Sequence, residues 1–391
     1  MINKLFSNKL MLCLGIMCCL FIFIPNTVIA APNPIQWGQK TVNVKSDKVW
    51  KIKFNQEINV DNIAKGVKIY NPVGISADVN ISYDSNNNTI IVQPPVSGYL
   101  PGQTYSLQIN DTLRALNSNQ LKTPIIMSFT IAVPDNGQLK DEGNKKYVYK
   151  SYDTTLDQMV GVQSKDKPIN YVPNYPDLIP SDIDIRNYLN PKNFEYHDYA
   201  VYQFLTLNYV EGISSEELDS ALTGQGILEG QGKTILDACK EYDVNPAYII
   251  AHAILESGHG KSQLSIGYPV CMVAGKAVPS KITYNMFGIG AWDSDPLRLG
   301  SEKAYTEGWF TPEAAIAGGI KWISTGYINK AISKQNTLYK MKWNPIVPAT
   351  NTDRHQYATD IAWAYKQSYY IKAILDKCTN AKLTFEIPQY K

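Results

Sequence analysis

Asn245-Pro-Ala-Tyr-Ile-Ile-Ala-His-Ala-Ile-Leu-Glu256, followed by Ser-Gly-His-Gly260, is the stretch on which the reading of this chain turns. Asn245 is a good N-cap, and Pro246 suits the first helical position, where its missing N–H costs nothing. Ile249, Ile250, Ala253, Ile254 and Leu255 make the segment apolar nearly all round, the pattern of a buried core helix, and Gly258 and Gly260 end it. Glu256 therefore closes a helix that belongs in the interior. Burial disfavours the charged form of an unpaired carboxylate and raises its pKa. A carboxyl that holds its proton near neutral pH is what glycoside cleavage asks of a general acid. The alternative is a helix-end glutamate that simply reaches solvent, and position alone does not decide between the two.

Outward from this helix the chain has two grammars. From Tyr202 onward the period is helical: Ser214-Ser-Glu-Glu217 starts a helix, and Ile235, Cys239 and Tyr242 mark one face of another. From about Lys40 to Val133 it is that of strands. Trp50, Ile52 and Phe54 share one face and Lys51 and Lys53 the other; Tyr105, Leu107 and Ile109 alternate again; Phe129 centres Met127–Ile131. Turn clusters such as Asp84-Ser-Asn-Asn-Asn88 separate these runs, which predicts a small β-sandwich. The polar stretch near Pro134–Lys146 breaks the pattern. Residues 147–200, with clusters such as Tyr171-Val-Pro-Asn-Tyr-Pro176, do not have the composition of a Gly/Ser linker and are expected to pack against the helical domain. At the start, Lys4 and Lys9, the apolar run Leu10–Ile24 and the small-residue site Val28-Ile-Ala30 have the layout of a secretory signal. The run is short of the roughly 20 residues of a spanning helix. The expected division is a signal at 1–30, cleaved near Ala30/Ala31, a β-sandwich at 31–133, a linker at 134–146 and a catalytic domain at 147–385 with its core at 225–378.

Composition narrows the function classes. Of 37 Lys+Arg and 35 Asp+Glu, the signal holds two lysines and no acid, so the remainder is formally neutral. Nucleic acid is not the expected partner, since it calls for a concentrated basic surface. Three cysteines lie beyond the signal, Cys239, Cys271 and Cys378, an odd number that leaves one bridge open and makes packed cores the main source of stability. With four histidines, no Cys-x-x-Cys and no His-Glu-x-x-His, neither a metal nor a cofactor is expected.

The segment Ala251–Gly260 resembles the catalytic helix of the family 73 glycoside hydrolases, the endo-β-N-acetylglucosaminidases of bacterial autolysins. The likeness continues through Tyr284-Asn-Met-Phe-Gly-Ile-Gly-Ala-Trp-Asp-Ser-Asp-Pro296, Gly308-Trp-Phe-Thr-Pro-Glu-Ala-Ala315, Asn336-Thr-Leu-Tyr-Lys-Met-Lys-Trp-Asn-Pro345 and His355-Gln-Tyr-Ala-Thr-Asp360. The β region resembles, by pattern and without a site motif, bacterial Ig-like domains of surface-layer and cell-wall proteins. Together these imply a multidomain protein: an Ig-like sandwich followed by a mainly α, lysozyme-like catalytic domain with a small β lobe.

The resemblance implies Glu256 as general acid, Tyr284, Asn285 and Phe287 on the cleft wall, and Tyr357 facing the reacting sugar. Trp309 and Trp343 sit beside Gly and Pro and are expected in the glycan groove, while Trp322 and Trp363 are expected in the core and Asp360 as a cap or brace. Two routes stay open. A second carboxylate, Glu302, Glu307, Asp293 or Asp295, activates water, or the substrate's own acetamido oxygen attacks with help from Tyr357. The implied partners are peptidoglycan glycan strands, with wall contact through the Ig-like domain and a secreted, wall-associated monomer. A muramidase or lytic transglycosylase of the same fold, or a wall-binding protein that cuts nothing, are the competing readings.

Overall fold

The computed structural model describes residues 34–391 apart from 38–40, 72–73, 75, 133–137, 173–174, 293, 332–333 and 348–354. The expected signal at 1–30 lies outside these residues, as do Asp293 and part of the expected linker.

The first unit is two facing sheets. Strands β1 (Ile35–Gln36), β2 (Thr41–Val44), β3 (Trp50–Lys53), β4 (Val67–Tyr70), β5 (Ile81–Asp84), β6 (Thr89–Val92), β7 (Thr104–Ile109) and β8 (Ile125–Ile131) run in chain order. The larger sheet runs β1-β8-β7-β4 with β2 also on β8, and the smaller runs β3-β6-β5. In β3 the lysines are exposed and Ile52 is buried, the outcome of period-two alternation. Trp50 meets Phe129 across the sandwich with ring centroids 4.7 Å apart, inside a core that includes Ile69, Ile90, Leu107 and Ile109. The central strand β7 is buried on both faces, and Gln103 Nε2 beside it donates to the Tyr199 hydroxyl in the second unit at 3.1 Å.

The second unit is helix-rich with a separate core. Its centre is the helix Pro246–Glu256, whose Asn245 cap accepts from the N–H groups of Ala247 and Tyr248. It packs against the helices Gly232–Tyr242 and Trp363–Leu375. An antiparallel hairpin, Tyr268–Val273 with Lys276–Thr283, projects from the helices and is held to the helix Pro296–Glu307 by Tyr305 Oη donating to the Pro279 carbonyl. The helix Pro312–Ile323 runs on into a π-helical turn, Ser324–Ile328. Cys239, Cys271 and Cys378 are all free thiols.

The stretch before these helices is part of the same body. Met159, Val160, Ile185, Tyr188 and Phe194 belong to its core. The helices Leu156–Gln163 and Asp182–Leu189 each begin with a capping box, at Thr155 and Ser181. The strand Lys145–Ser151 pairs in parallel with the last strand, Leu383–Gln389, from Lys145 beside Leu383 to Ser151 beside Gln389. Buried Phe385 stacks on Tyr147 at 5.1 Å and meets the edge of Tyr202 at 5.4 Å. Truncating a buried phenylalanine typically costs about 3–5 kcal/mol. Phe385→Ala is therefore expected to lower the melting transition of the helical unit and leave that of the sandwich unchanged, which calorimetry of the whole protein resolves; a single unshifted transition would contradict this.

Candidate active site

The helix Pro246–Glu256 ends in a turn that only particular residues can make. The Ser257 hydroxyl donates to the Ala253 carbonyl at 2.5 Å and accepts from the Gly260 N–H at 2.8 Å. Gly260 has φ +70°, and a Cβ there would lie 2.1 Å from the Gln225 carbonyl oxygen, so a glycine is required. The turn stops the helix with the Glu256 side chain partly exposed. Its carboxyl is nevertheless surrounded closely, and desolvation pushes its pKa from the ordinary 4.5 up to about 7. Gly288 passes the carboxyl on one side, its Cβ position 3.8 Å from Oε2.

The loop carrying Gly288 is built by Asn285. That side chain is 1% exposed: Nδ2 donates to the carbonyls of Ile289 and Gly300, and Oδ1 accepts from the N–H groups of Phe287 and Ile289. Asn285 is thus a loop organiser, its amide engaged internally and not facing the cleft wall on which the resemblance placed it. Phe287 is likewise buried, stacked on His252 with centroids 5.8 Å apart. Its ring occupies the space left by Gly319, where a Cβ would come within 2.2 Å of it. Tyr284 remains partly exposed at the start of the loop.

On the other side stands Tyr357. Its hydroxyl lies 2.9 Å from His252 Nε2, it is 4% exposed, and its ring packs against Tyr327 from the π-helical turn and against Trp363, each at 5.0 Å. It is near enough to Glu256 for that carboxylate's charge to add to the desolvation that raises the phenol's pKa. The short segment bearing Tyr357 is fixed from beneath. Fully buried Lys342 donates to the Gln356 side chain and to the carbonyls of Ala358 and Thr359, and burial pulls its pKa down to about 8. Gln356 in turn donates to Gln163 and Asp166 of the upstream segment. Asp360 braces a helix: Oδ1 accepts from the Ala362 N–H, and Oδ2 pairs with Lys366 at 2.7 Å.

The two tryptophans expected in the groove are core residues. Trp343 is 1% exposed, with the Lys342 ammonium over its ring at 4.7 Å. Trp309 is 4% exposed, its indole filling the space beside Gly318. Loop-like neighbours in the sequence do not imply exposure once a helical glycine offers a slot. The exposed indole of this region is Trp292, at 41%. Glu302 and Glu307 are engaged elsewhere. Glu302 accepts from the Ala274 N–H in the hairpin turn and pairs with Arg298, which together lower its pKa, and Glu307 pairs with Lys303 at 2.5 Å. Asp295 caps the helix Pro296–Glu307 and also binds Arg298. Among the described residues no three His, Cys, Asp or Glu side chains cluster as a metal site requires. Tyr248, His252 and Tyr327 went unread in the sequence. The first two stand eight and four residues before Glu256, a polar stripe along an otherwise apolar helix that does carry a signal.

Residues 232–375 match the family profile described as mannosyl-glycoprotein endo-beta-N-acetylglucosaminidase, and residues 36–131 match that of a bacterial Ig-like domain. Among curated proteins, a beta-N-acetylglucosaminidase of Bacillus subtilis is 43% identical over 215 residues, which is 54% of this chain and 22% of that protein. A bifunctional autolysin of Staphylococcus aureus is 42% identical over 210 residues, 53% of this chain and 16% of that one. The chain thus spans about a fifth of the length of the curated relatives it matches. Among solved structures, the major bifunctional autolysin is 38% identical, with a TM-score of 0.50 over 63% of this chain and 98% of that one. S. aureus glucosaminidase B is 30% identical, with a TM-score of 0.52 over 65% and 96%. A likeness that takes in nearly the whole of those solved chains, together with a family match that includes the helix ending in Glu256, is one of kinship: the chain belongs to the glucosaminidase family of glycoside hydrolases, with a bacterial Ig-like domain ahead of its catalytic unit.

Proposed function

We propose that the protein hydrolyses the glycosidic bond after N-acetylglucosamine in bacterial peptidoglycan, with Glu256 as the general acid. One observation carries this reading: a solvent-reachable carboxyl, at the end of a buried helix, whose proton desolvation retains up to about pH 7. The relatives called beta-N-acetylglucosaminidase and autolysin supply the bond and the polymer.

The chemistry follows from a single such acid. Protonated Glu256 gives its proton to the bridging oxygen as the C1–O bond breaks. Glu302, Glu307 and Asp295, three of the four candidate second carboxylates, pair with Arg298 and Lys303, which favours the acetamido carbonyl oxygen of the substrate as the internal nucleophile that closes on C1. Water then opens the resulting ring, giving up a proton to the Glu256 carboxylate and restoring the acid. Tyr284 and Trp292 offer partly exposed and exposed rings for sugar faces, and the helices with the projecting hairpin form a lysozyme-like unit with a small β lobe. The Ig-like sandwich serves as a spacer or wall contact, and the protein works outside the cell on its own wall as a monomer. A muramidase, a transglycosylase or a binding protein would require other products or none.

Mass spectrometry of reduced digestion products decides among these. Digestion of purified peptidoglycan is expected to yield reducing-end N-acetylglucosaminitol that disappears with Glu256→Gln. Muramitol ends would mean a muramidase, anhydro-muramyl ends a transglycosylase, and no products a binding protein. On the alkaline side, kcat is expected to fall with an apparent pKa near 7 as Glu256 loses its proton; a flat profile to pH 9 would exclude Glu256 as the acid. The same raised pKa has a stability sign. Between pH 4.5 and about 7 the unfolded carboxyl ionises while the folded one stays protonated, so ionisation destabilises the native state as pH rises. That difference corresponds to about 3 kcal/mol. Glu256→Gln should therefore raise the melting temperature at pH 8 more than at pH 4, and an equal shift at both would argue against a desolvated carboxyl.

A further inference from the structure

Behind Glu256 lies a group of buried polar side chains that general acid catalysis alone does not use. Tyr248, His252 and Glu256 stand at four-residue spacing on one helix, and Tyr357 and Tyr327 close against them. His252 is 1% exposed. It lies between the Phe287 ring, nearly parallel at 18°, and the edge of Tyr357. Its two ring nitrogens differ sharply. Nε2 is 2.9 Å from the Tyr357 hydroxyl. Nδ1 is buried and has no hydrogen-bond partner.

We propose that His252 is a positioning residue: held as the Nε2–H tautomer, it donates to Tyr357 Oη and thereby commits the tyrosine's own proton to the catalytic cleft as a donor. Burial keeps the imidazole neutral, its pKa pulled down to about 4, so the ring carries one N–H. On Nδ1 that N–H would be buried without an acceptor, the more costly kind of unsatisfied group. Tyr357 would then have to spend its single proton on Nε2, inside the core. On Nε2 the N–H is satisfied, and only a ring lone pair is left unused. Tyr357 then accepts from His252, and no described residue accepts the phenolic hydrogen in return. Beside Glu256, that hydrogen matches a carbonyl oxygen and not an N–H. The tautomer therefore decides which end of an acetamido group Tyr357 reads: its carbonyl oxygen, the atom that must approach C1. Phe287 and Gly319 gain a purpose in this reading, since the ring seated in the glycine's slot is the wall that holds the imidazole plane.

The catalytic part of this inference rests on the proposed glucosaminidase function; the tautomer does not, and the two are tested separately. The long-range ¹H–¹⁵N spectrum of uniformly labelled wild-type protein, with four histidines to assign, reads the tautomer directly. His252 is expected as Nε2–H at pH 6 to 8, with its signals identified by their loss in His252→Gln. An Nδ1–H tautomer overturns the proposal whether or not any variant folds. In kinetics on soluble glycan fragments, His252→Leu is expected to lower kcat about tenfold or more with KM nearly unchanged, and His252→Gln, which keeps an N–H donor, to recover most of it. In the Tyr357→Phe background the same His252→Leu change should alter kcat less than about twofold. An equal loss with and without the hydroxyl would mean that His252 acts through packing alone, and the proposal fails. A wild-type enzyme that releases no N-acetylglucosamine ends would sink the functional reading instead.

Discussion

Desolvation of one carboxyl is the constraint around which the catalytic unit is arranged. A helix made of Ile, Ala and Leu is stable only when other elements cover it on nearly every side, and its last residue then inherits the dryness of its neighbours. The cover here comes from the helices Gly232–Tyr242 and Trp363–Leu375 and from the loop that Asn285 organises. Close packing dries Glu256, and the turn at Ser257–Gly260 keeps it in reach of solvent. An arrangement that exposed the carboxyl fully would return its pKa to the range of ordinary glutamates, and one that buried it fully would keep a polymer out.

The cover is assembled from distant parts of the chain. Residues 156–166 reach Tyr357 through Gln163, Asp166 and Gln356, while Lys342 holds the same segment from the core. The buried ammonium of Lys342 is satisfied by two carbonyls and an amide with Trp343 beneath it, which is how a lysine is accommodated in an interior. The segment before the helices therefore belongs to the site's foundation. A unit cut at the limits of the 232–375 match would lack both the strand pair and the Gln163 and Asp166 side chains that hold Gln356.

The range of each signal separates the features legible in the sequence from those that were not. The alternation Trp50, Ile52, Phe54 and the apolar run before Glu256 are local periodicities, and they gave the sandwich and the core helix with its acid. Trp309 and Trp343 were misplaced because Gly and Pro neighbours report backbone preference, while burial depends on slots such as that beside Gly318, made by a helix elsewhere. Asn285 looks like a ligand in sequence because its hydrogen-bonding groups are visible and its four internal partners are not. The parallel pairing of 145–151 with 383–389 has no local signature, as register between strands more than two hundred residues apart is a tertiary property.

That pairing also determines how the catalytic unit bears load. The chain comes in from the sandwich at Lys145 and leaves at Gln389, and because the two strands are parallel these points sit at opposite ends of the pair, roughly 20 Å apart at ordinary strand rise. A pull between the sandwich and the carboxyl end runs lengthwise along the strands. It loads their rungs together in shear and does not peel them one after another. The clasp that closes the catalytic unit is thus oriented to resist being drawn apart lengthwise.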